Sequence, residues 1–423
     1  MVYRSITQTY RTRFEAVRDE LAGAGDDVLP LTGAQRRFHH AQCMQPESRR
    51  TVVCLFAEFP AATVSAELLR RAAEAVVRRN PALRSRVDSY AGVPLQRIVE
   101  VNVSVREVSG HDARKVVRAA LDEWPGDAGP FQLVLGRDTH TDLLALAFDH
   151  IVCDETSIGQ VVAQLTEAYG ADVDVPDRVV VDGMDRYRDA IHTQLDRELG
   201  ASGEEALVHW LSRLRDAHTG RWAVGRRADE GAASRSDWRT VALPTVRGRG
   251  QLFPTLLASC RAALVEHDDT APVCYTWAGG REAGPESVMG CFINTVVCCP
   301  PGDGFQAVQH AWWDDLEWAD TPFDEVVRAA RQAKLRWSGH LDLVLTLDDR
   351  SQRTIPVLGG VAGKETYVPG MRVGAPMIVS ASYDRHELNL RVDHNPALVP
   401  DDMADHISGA IVDAVRKRFH ASA

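Results

Sequence analysis

The segment Phe148-Asp149-His150-Ile151-Val152-Cys153-Asp154-Glu155-Thr156-Ser157 sets an imidazole at the end of an apolar run, with a carboxylate four residues further on. A neutral imidazole, with an ordinary pKa near ~6.5, can take a proton from an amine or hydroxyl attacking a thioester and return it to the departing thiol. The same residues also suit a core histidine with satisfied hydrogen bonds, Asp154 serving only as a helix N-cap. On these residues alone both readings stand.

The elements around the segment narrow the geometry. Leu143 to Val152 is apolar on both strand faces, which predicts a strand buried from two sides. Alternation puts His150 on the face of Leu144, Leu146 and Phe148 and sends Asp149 to the other, so only one of the two can line a given cavity. Asp154 to Tyr169 carries Ile158, Val161, Val162, Leu165 and Tyr169 on one helical face, with Asp154 placed to cap the start. Leu68 to Val77 reads as an amphipathic helix stopped at Asn80-Pro81. Residues 171–188, rich in Val, Asp and Pro without a clear period, read as a connector.

Beyond the connector, Leu252 to Leu264, Phe323 to Trp337 and Pro400 to Phe419 have helical spacing. Val273 to Trp277, Phe292 to Cys299, Leu341 to Leu347 and Ser380 to Val392 read as strands. With 423 residues, the chain exceeds one ordinary core, and the mixed elements of both halves predict an α/β fold in two lobes, residues 1–175 and 176–423.

The formal net charge of -11 leaves no basic footprint for a nucleic acid. No apolar run approaches the ~20 residues of a membrane span, and the N-terminal segment lacks the apolar core of a signal peptide, so the expected location is cytoplasmic. The eight cysteines form no C-x-x-C pair or zinc spacing, so free thiols and no metal are expected.

Other chemistry-bearing pairs fit less well. His39-His40 has Gln45 where a motif aspartate would fall, and Gly359-Gly360-Val361-Ala362-Gly363-Lys364 misses the phosphate-loop spacing and reads as a loop. Cys153 reads as a packing residue, as do Trp312, Trp313 and Trp318.

The central segment resembles the H-H-x-x-x-D-G motif of nonribosomal peptide synthetase condensation domains, relatives of chloramphenicol acetyltransferase. The likeness runs on. Leu31-Thr32-Gly33-Ala34-Gln35-Arg36-Arg37-Phe38 resembles that family's S-x-A-Q-x-R-L-W, and Arg79-Asn80-Pro81-Ala82-Leu83-Arg84-Ser85-Arg86 resembles R-H-E-x-L-R-T-x-F. Met184-Asp185-Arg186-Tyr187 is similar to Y-x-D-Y-A, Met289-Gly290-Cys291-Phe292-Ile293-Asn294-Thr295 to I-G-x-F-V-N-T, and Asp320-Thr321-Pro322-Phe323-Asp324 to D-Y-P-F-E. Order and approximate spacing are kept.

The resemblance implies two acetyltransferase-like lobes in a V with a tunnel between them, and His150 mid-tunnel as general base. It implies a free-standing antibiotic-biosynthesis enzyme of secondary metabolism. Such an enzyme joins an acyl or aminoacyl thioester, borne on the phosphopantetheine of a separate carrier protein or on coenzyme A, to an amine or alcohol. No bound cofactor is implied. Asp154 would be an ion-pair partner of Arg84, Arg86 or Arg281, and Asn294 would lie near the interlobe crossover. Two departures stand out: Asp149 replaces the first histidine and Glu155 the glycine. The stretch also fits D-x-x-x-x-D-x-x-S of heterocyclisation domains through Asp149, Asp154 and Ser157, though those lack the catalytic histidine. A non-catalytic member that recruits partners to a carrier protein is the third reading.

Overall fold

The computed structural model describes residues 4–21, 28–44, 51–124, 128–171, 175–220, 222, 233–243, 249–266, 271–279, 288–302 and 304–420. Its first sheet is ordered Lys364–Thr366, Val52–Pro60, Thr141–Asp149, Phe131–Arg137, Val105–Ser109. Thr141–Asp149 is the central strand, antiparallel to both neighbours. Its alternation serves two cores. Leu144, Leu146 and Phe148 face the helices Ala66–Arg79 and Glu155–Ala168, while Leu143, Ala145 and Ala147 pack with Val117 and Leu121 of helix Ala113–Asp122. Every residue from Asp142 to Asp149 is buried, as a strand covered on both faces requires.

The second sheet has six strands in the order Asn294–Cys298, Val273–Trp277, Leu343–Asp349, Met377–Tyr383, Glu387–His394, Arg235–Ala242. Leu343–Asp349 is parallel to both neighbours and the other pairings are antiparallel. Helices Leu252–Val265 and Asp401–His420 cover it, burying Leu256, Leu257, Ile407 and Ile411 at 0% exposure. The single alternating stretch expected over Ser380 to Val392 is thus a hairpin, broken where Asp384 accepts from the backbone of His386 and Glu387.

Three expectations are corrected. The central strand ends at Asp149 and not at Val152: Asp149 Oδ1 accepts from Ile151 N at 3.1 Å and its carbonyl from Val152 N at 3.0 Å, so residues 149–152 make a tight turn. Strand alternation therefore does not extend to His150. Residues 177–188 are not a connector but the start of a helix, Asp177–Gly200, which follows Pro176 and buries Met184, Tyr187, Ile191 and Leu195 at helical spacing. The Val/Asp/Pro composition masked that period. Trp313 is 57% exposed rather than packed, while Trp312 and Trp318 lie against the second core.

The 175/176 division follows chain order, and two segments from beyond it cross into the first lobe. Helix Asp177–Gly200 joins the first core, and Lys364–Thr366 pairs with Val52–Pro60 at the edge of the first sheet. The Gly359-Gly360 loop is the tip of a hairpin, Val357–Leu358 with Val361–Ala362; both glycines have positive φ, 58° and 81°, as a two-residue turn of this hand demands. All eight cysteines are free. No described helix is long and apolar enough to cross a membrane.

Helix Asp177–Gly200 crosses the end of helix Ala66–Arg79 at Gly183, where an added Cβ would stand 2.7 Å from the Arg79 carbonyl oxygen. A backbone atom cannot step aside cheaply. Gly183→Ala is expected to cost about 1–3 kcal/mol through overpacking, read as a lower urea midpoint at unchanged m-value.

Candidate functional site

His150 sits at the second position of the Asp149–Val152 turn, its own N–H donating to Thr51 O at 2.8 Å. The ring is half-buried. Its Nδ1 lies 2.9 Å from the carbonyl oxygen of Cys153, and a carbonyl can only accept, so Nδ1 carries the proton and Nε2 keeps its lone pair. The other face of the arrangement is aromatic: Phe38, from helix Gly33–Met44, stacks on the imidazole with centroids 4.5 Å apart and planes inclined by 25°. Burial pulls the His150 pKa below its ordinary value; the Cys153 carbonyl and the charge of Asp154 oppose this, and Arg37 adds to it. The result is a fixed, neutral imidazole with one basic nitrogen.

Asp154, 2% exposed, is the joint between this turn and the second half of the chain. It caps helix Glu155–Ala168: Oδ1 accepts from Ser157 N at 3.1 Å and from Ser157 Oγ at 2.9 Å. Oδ2 accepts from Phe292 N at 3.1 Å. Ser157 makes the neighbouring link, accepting from Gly290 N at 3.0 Å, with Gly290 O a second partner 2.9 Å from the hydroxyl. Together these contacts hold Gly290 to Phe292 against the start of the helix and the His150 turn.

Asp154's described partners are backbone and hydroxyl donors. Among the described residues no ion pair joins it to Arg84, half-buried at the end of the turn Pro81–Arg84, or to Arg86, exposed on strand Ser85–Tyr90. Arg281 lies outside the described residues, as does Gln45. Asp149, 5% exposed, spends its carboxylate on Ile151 N and, at 3.4 Å, on Gln42 Nε2, so the residue standing in for the family's first histidine supports the turn from within. Asn294 is also committed: Nδ2 donates to Ala319 O at 2.8 Å and Thr321 O at 2.6 Å, and Oδ1 accepts from Phe323 N at 3.2 Å, which fixes the head of helix Phe323–Gln332. Cys153 is buried and contributes its carbonyl, while His39 and His40 ride on helix Gly33–Met44.

Sequence reasoning did not single out Phe38, Arg37 or the Phe292 N–H as members of this site. Phe38 and Arg37 were visible only as part of the opening motif, and no local spacing ties residue 38 to residue 150. Arg37 donates to Thr295 Oγ1 across the seam, with its guanidinium 5.3 Å from the Phe38 ring and 5.1 Å from that of Phe323. A small recess lined by Gly33, Gln194, Glu198, Trp277, Phe292 and Asn294 lies on the same seam, and His150 is not among its walls.

No family model matches the chain. Chondramide synthase of Chondromyces crocatus is 26% identical over 335 residues, covering 71% of this chain and 8% of that protein. A probable non-canonical nonribosomal peptide synthetase, CymA, of Salinispora arenicola (strain CNS-205) is 25% identical over 374 residues, 76% of this chain and 4% of that protein. The chain thus spans less than a tenth of the length of these relatives. The starter condensation domain of the rhizomide synthetase RzmA superposes with a TM-score of 0.65 at 14% identity, covering 92% of this chain and 94% of that one. The chain has the fold of the condensation-domain superfamily. Its α/β fold is that superfamily's pair of chloramphenicol acetyltransferase-like lobes set in a V. The X-domain of teicoplanin biosynthesis, solved in complex with OxyB, matches this condensation-type fold equally well: TM-score 0.65, 15% identity, 93% of this chain and 94% of that one.

Asp154→Ala removes a helix cap and strands the buried Phe292 N–H, for a combined cost on the order of 3 kcal/mol. Ser157→Ala, which strands Gly290 N, is expected to cost about 1–2 kcal/mol. Chemical denaturation of both variants checks the order, Asp154 above Ser157.

Proposed function

We propose that the chain is a condensation enzyme that joins an acyl or aminoacyl thioester, carried on the phosphopantetheine of a carrier protein, to an amine or alcohol, with His150 as general base. One observation carries the reading: the Cys153 carbonyl holds the Nδ1 proton, leaving the Nε2 lone pair of a half-buried, neutral imidazole to act. In the reaction Nε2 takes the proton of the acceptor as its nitrogen or oxygen attacks the thioester carbonyl. The tetrahedral adduct then collapses, the C–S bond breaks, and the imidazolium returns the proton to the thiolate. Phe38 stacking and the Cys153 contact prevent the ring from turning between the two transfers. Asp154 and Asp149 act as supports of the turn.

Two observations bear on the alternatives. Heterocyclisation draws on Asp149, Asp154 and Ser157, yet each of these is buried and engaged in hydrogen bonds that build the turn and the seam. A recruiting, non-catalytic role draws on the likeness to the teicoplanin X-domain, whose partner in its own structure is OxyB.

Acyl-loaded carrier protein, or a pantetheine mimic, is incubated with a panel of amines and alcohols and the products are weighed by mass spectrometry. Wild type is expected to form an amide or ester, and folded His150→Ala to lose roughly 10²–10⁴-fold in rate. A product lighter by one further water supports heterocyclisation. Carrier binding without product from either protein supports recruitment.

A further inference from the structure

Arg37 and Arg36 are neighbours on helix Gly33–Met44 with opposite electrostatic fates. Arg36 is neutralised in place, with Glu198 at 3.5 Å and Asp324 at 3.1 Å. Arg37 has no ion-pair partner among the described residues. Its guanidinium is held by a neutral hydroxyl, Thr295 Oγ1 of the second lobe, and lies near the rings of Phe38 and Phe323. A guanidinium stays charged in proteins, so an uncompensated positive charge is set beside the phenyl ring on which His150 stacks.

We propose that Arg37 is a positioning residue for His150, a cation clasped from the opposite lobe that biases the imidazole toward its neutral, proton-accepting form. The inference rests on the reading of His150 as the general base. Among the described residues the charged groups around the ring are few: Arg37 from helix Gly33–Met44, Asp154 at the head of helix Glu155–Ala168, and Asp149 just before the turn. Both carboxylates are already drawn toward N–H and O–H donors, Asp154 by Ser157 and Phe292 and Asp149 by Ile151. Among the described residues Arg37 has no such competing anion. Its charge also opposes lingering protonation of the imidazole, which favours the return of the proton to the leaving thiolate. Because Thr295 and Phe323 belong to the second lobe, the charge felt by the base depends on how that lobe is seated.

The test is a titration of the histidine ring resonances of labelled protein, with His150 assigned from the spectrum of His150→Gln. In Arg37→Gln the His150 midpoint is expected to move to higher pH, by about 1 pH unit for loss of a nearby cation, and Arg37→Lys, which keeps the charge, should restore most of it. The acid limb of the kcat/KM profile should move with the midpoint, a shift that a purely structural role would not produce. If Arg37→Gln does not fold, Arg37→Met carries the same expectation. A His150 midpoint unchanged on loss of the charge overturns the proposal. A midpoint that shifts while His150→Ala still forms product would instead keep the electrostatic link and remove His150 as the base.

Discussion

One buried carboxylate carries this architecture. Asp154 follows the turn that presents His150, starts helix Glu155–Ala168, and takes the Phe292 N–H from a segment more than a hundred residues away. Its oxygens are shielded from water, so each donor it loses would leave a polar group without compensation. The two halves of the chain thus meet through hydrogen bonds that are costly to break, at the place where the imidazole is set. Strand Lys364–Thr366, added to the edge of the first sheet, makes the same join on another side.

Around that joint the chemistry is arranged by backbone rather than by a second ionisable group. In many acid–base sites a carboxylate orients the histidine; here the Cys153 carbonyl does so. A carbonyl fixes the tautomer without supplying a full negative charge, and burial with Arg37 nearby keeps the ring below its ordinary pKa. Such an imidazole is a base already deprotonated at neutral pH, and a ready donor once it has taken a proton. The replacement of a histidine by Asp149 fits the same logic, because the position needs an acceptor for Ile151 N more than a second imidazole.

Much of this could be read from the sequence where periodicity was strong. The doubly apolar run Leu143 to Val152 gave the central strand but not its end, and the 3.6-residue spacing after Asp154 gave the capped helix. Legibility failed where side chain and backbone compete locally. Asp149 stops the strand by bonding to Ile151 N, a choice invisible to an apolar-run argument, and the Asp/Val/Pro composition after residue 171 hid a 24-residue helix. The site itself was half legible. His150, Asp154 and Ser157 fall within ten residues, whereas Phe38, Arg37 and Phe292 N reach them only through the fold. The expectation of an arginine for Asp154 came from family resemblance, and one of its candidates, Arg281, lies outside the described residues; the described donors are an amide, a hydroxyl and a second amide.

The central claim is that His150 Nε2 faces the point where donor and acceptor meet. A crystal structure with a stable thioether analogue of an acyl-pantetheine tests it most directly. The account predicts the analogue's carbonyl carbon close enough to Nε2 that an attacking atom fits between them in hydrogen-bond contact with the ring, about 3 Å from the nitrogen. An acyl arm that ends elsewhere, with the imidazole sealed behind Phe38, would contradict it.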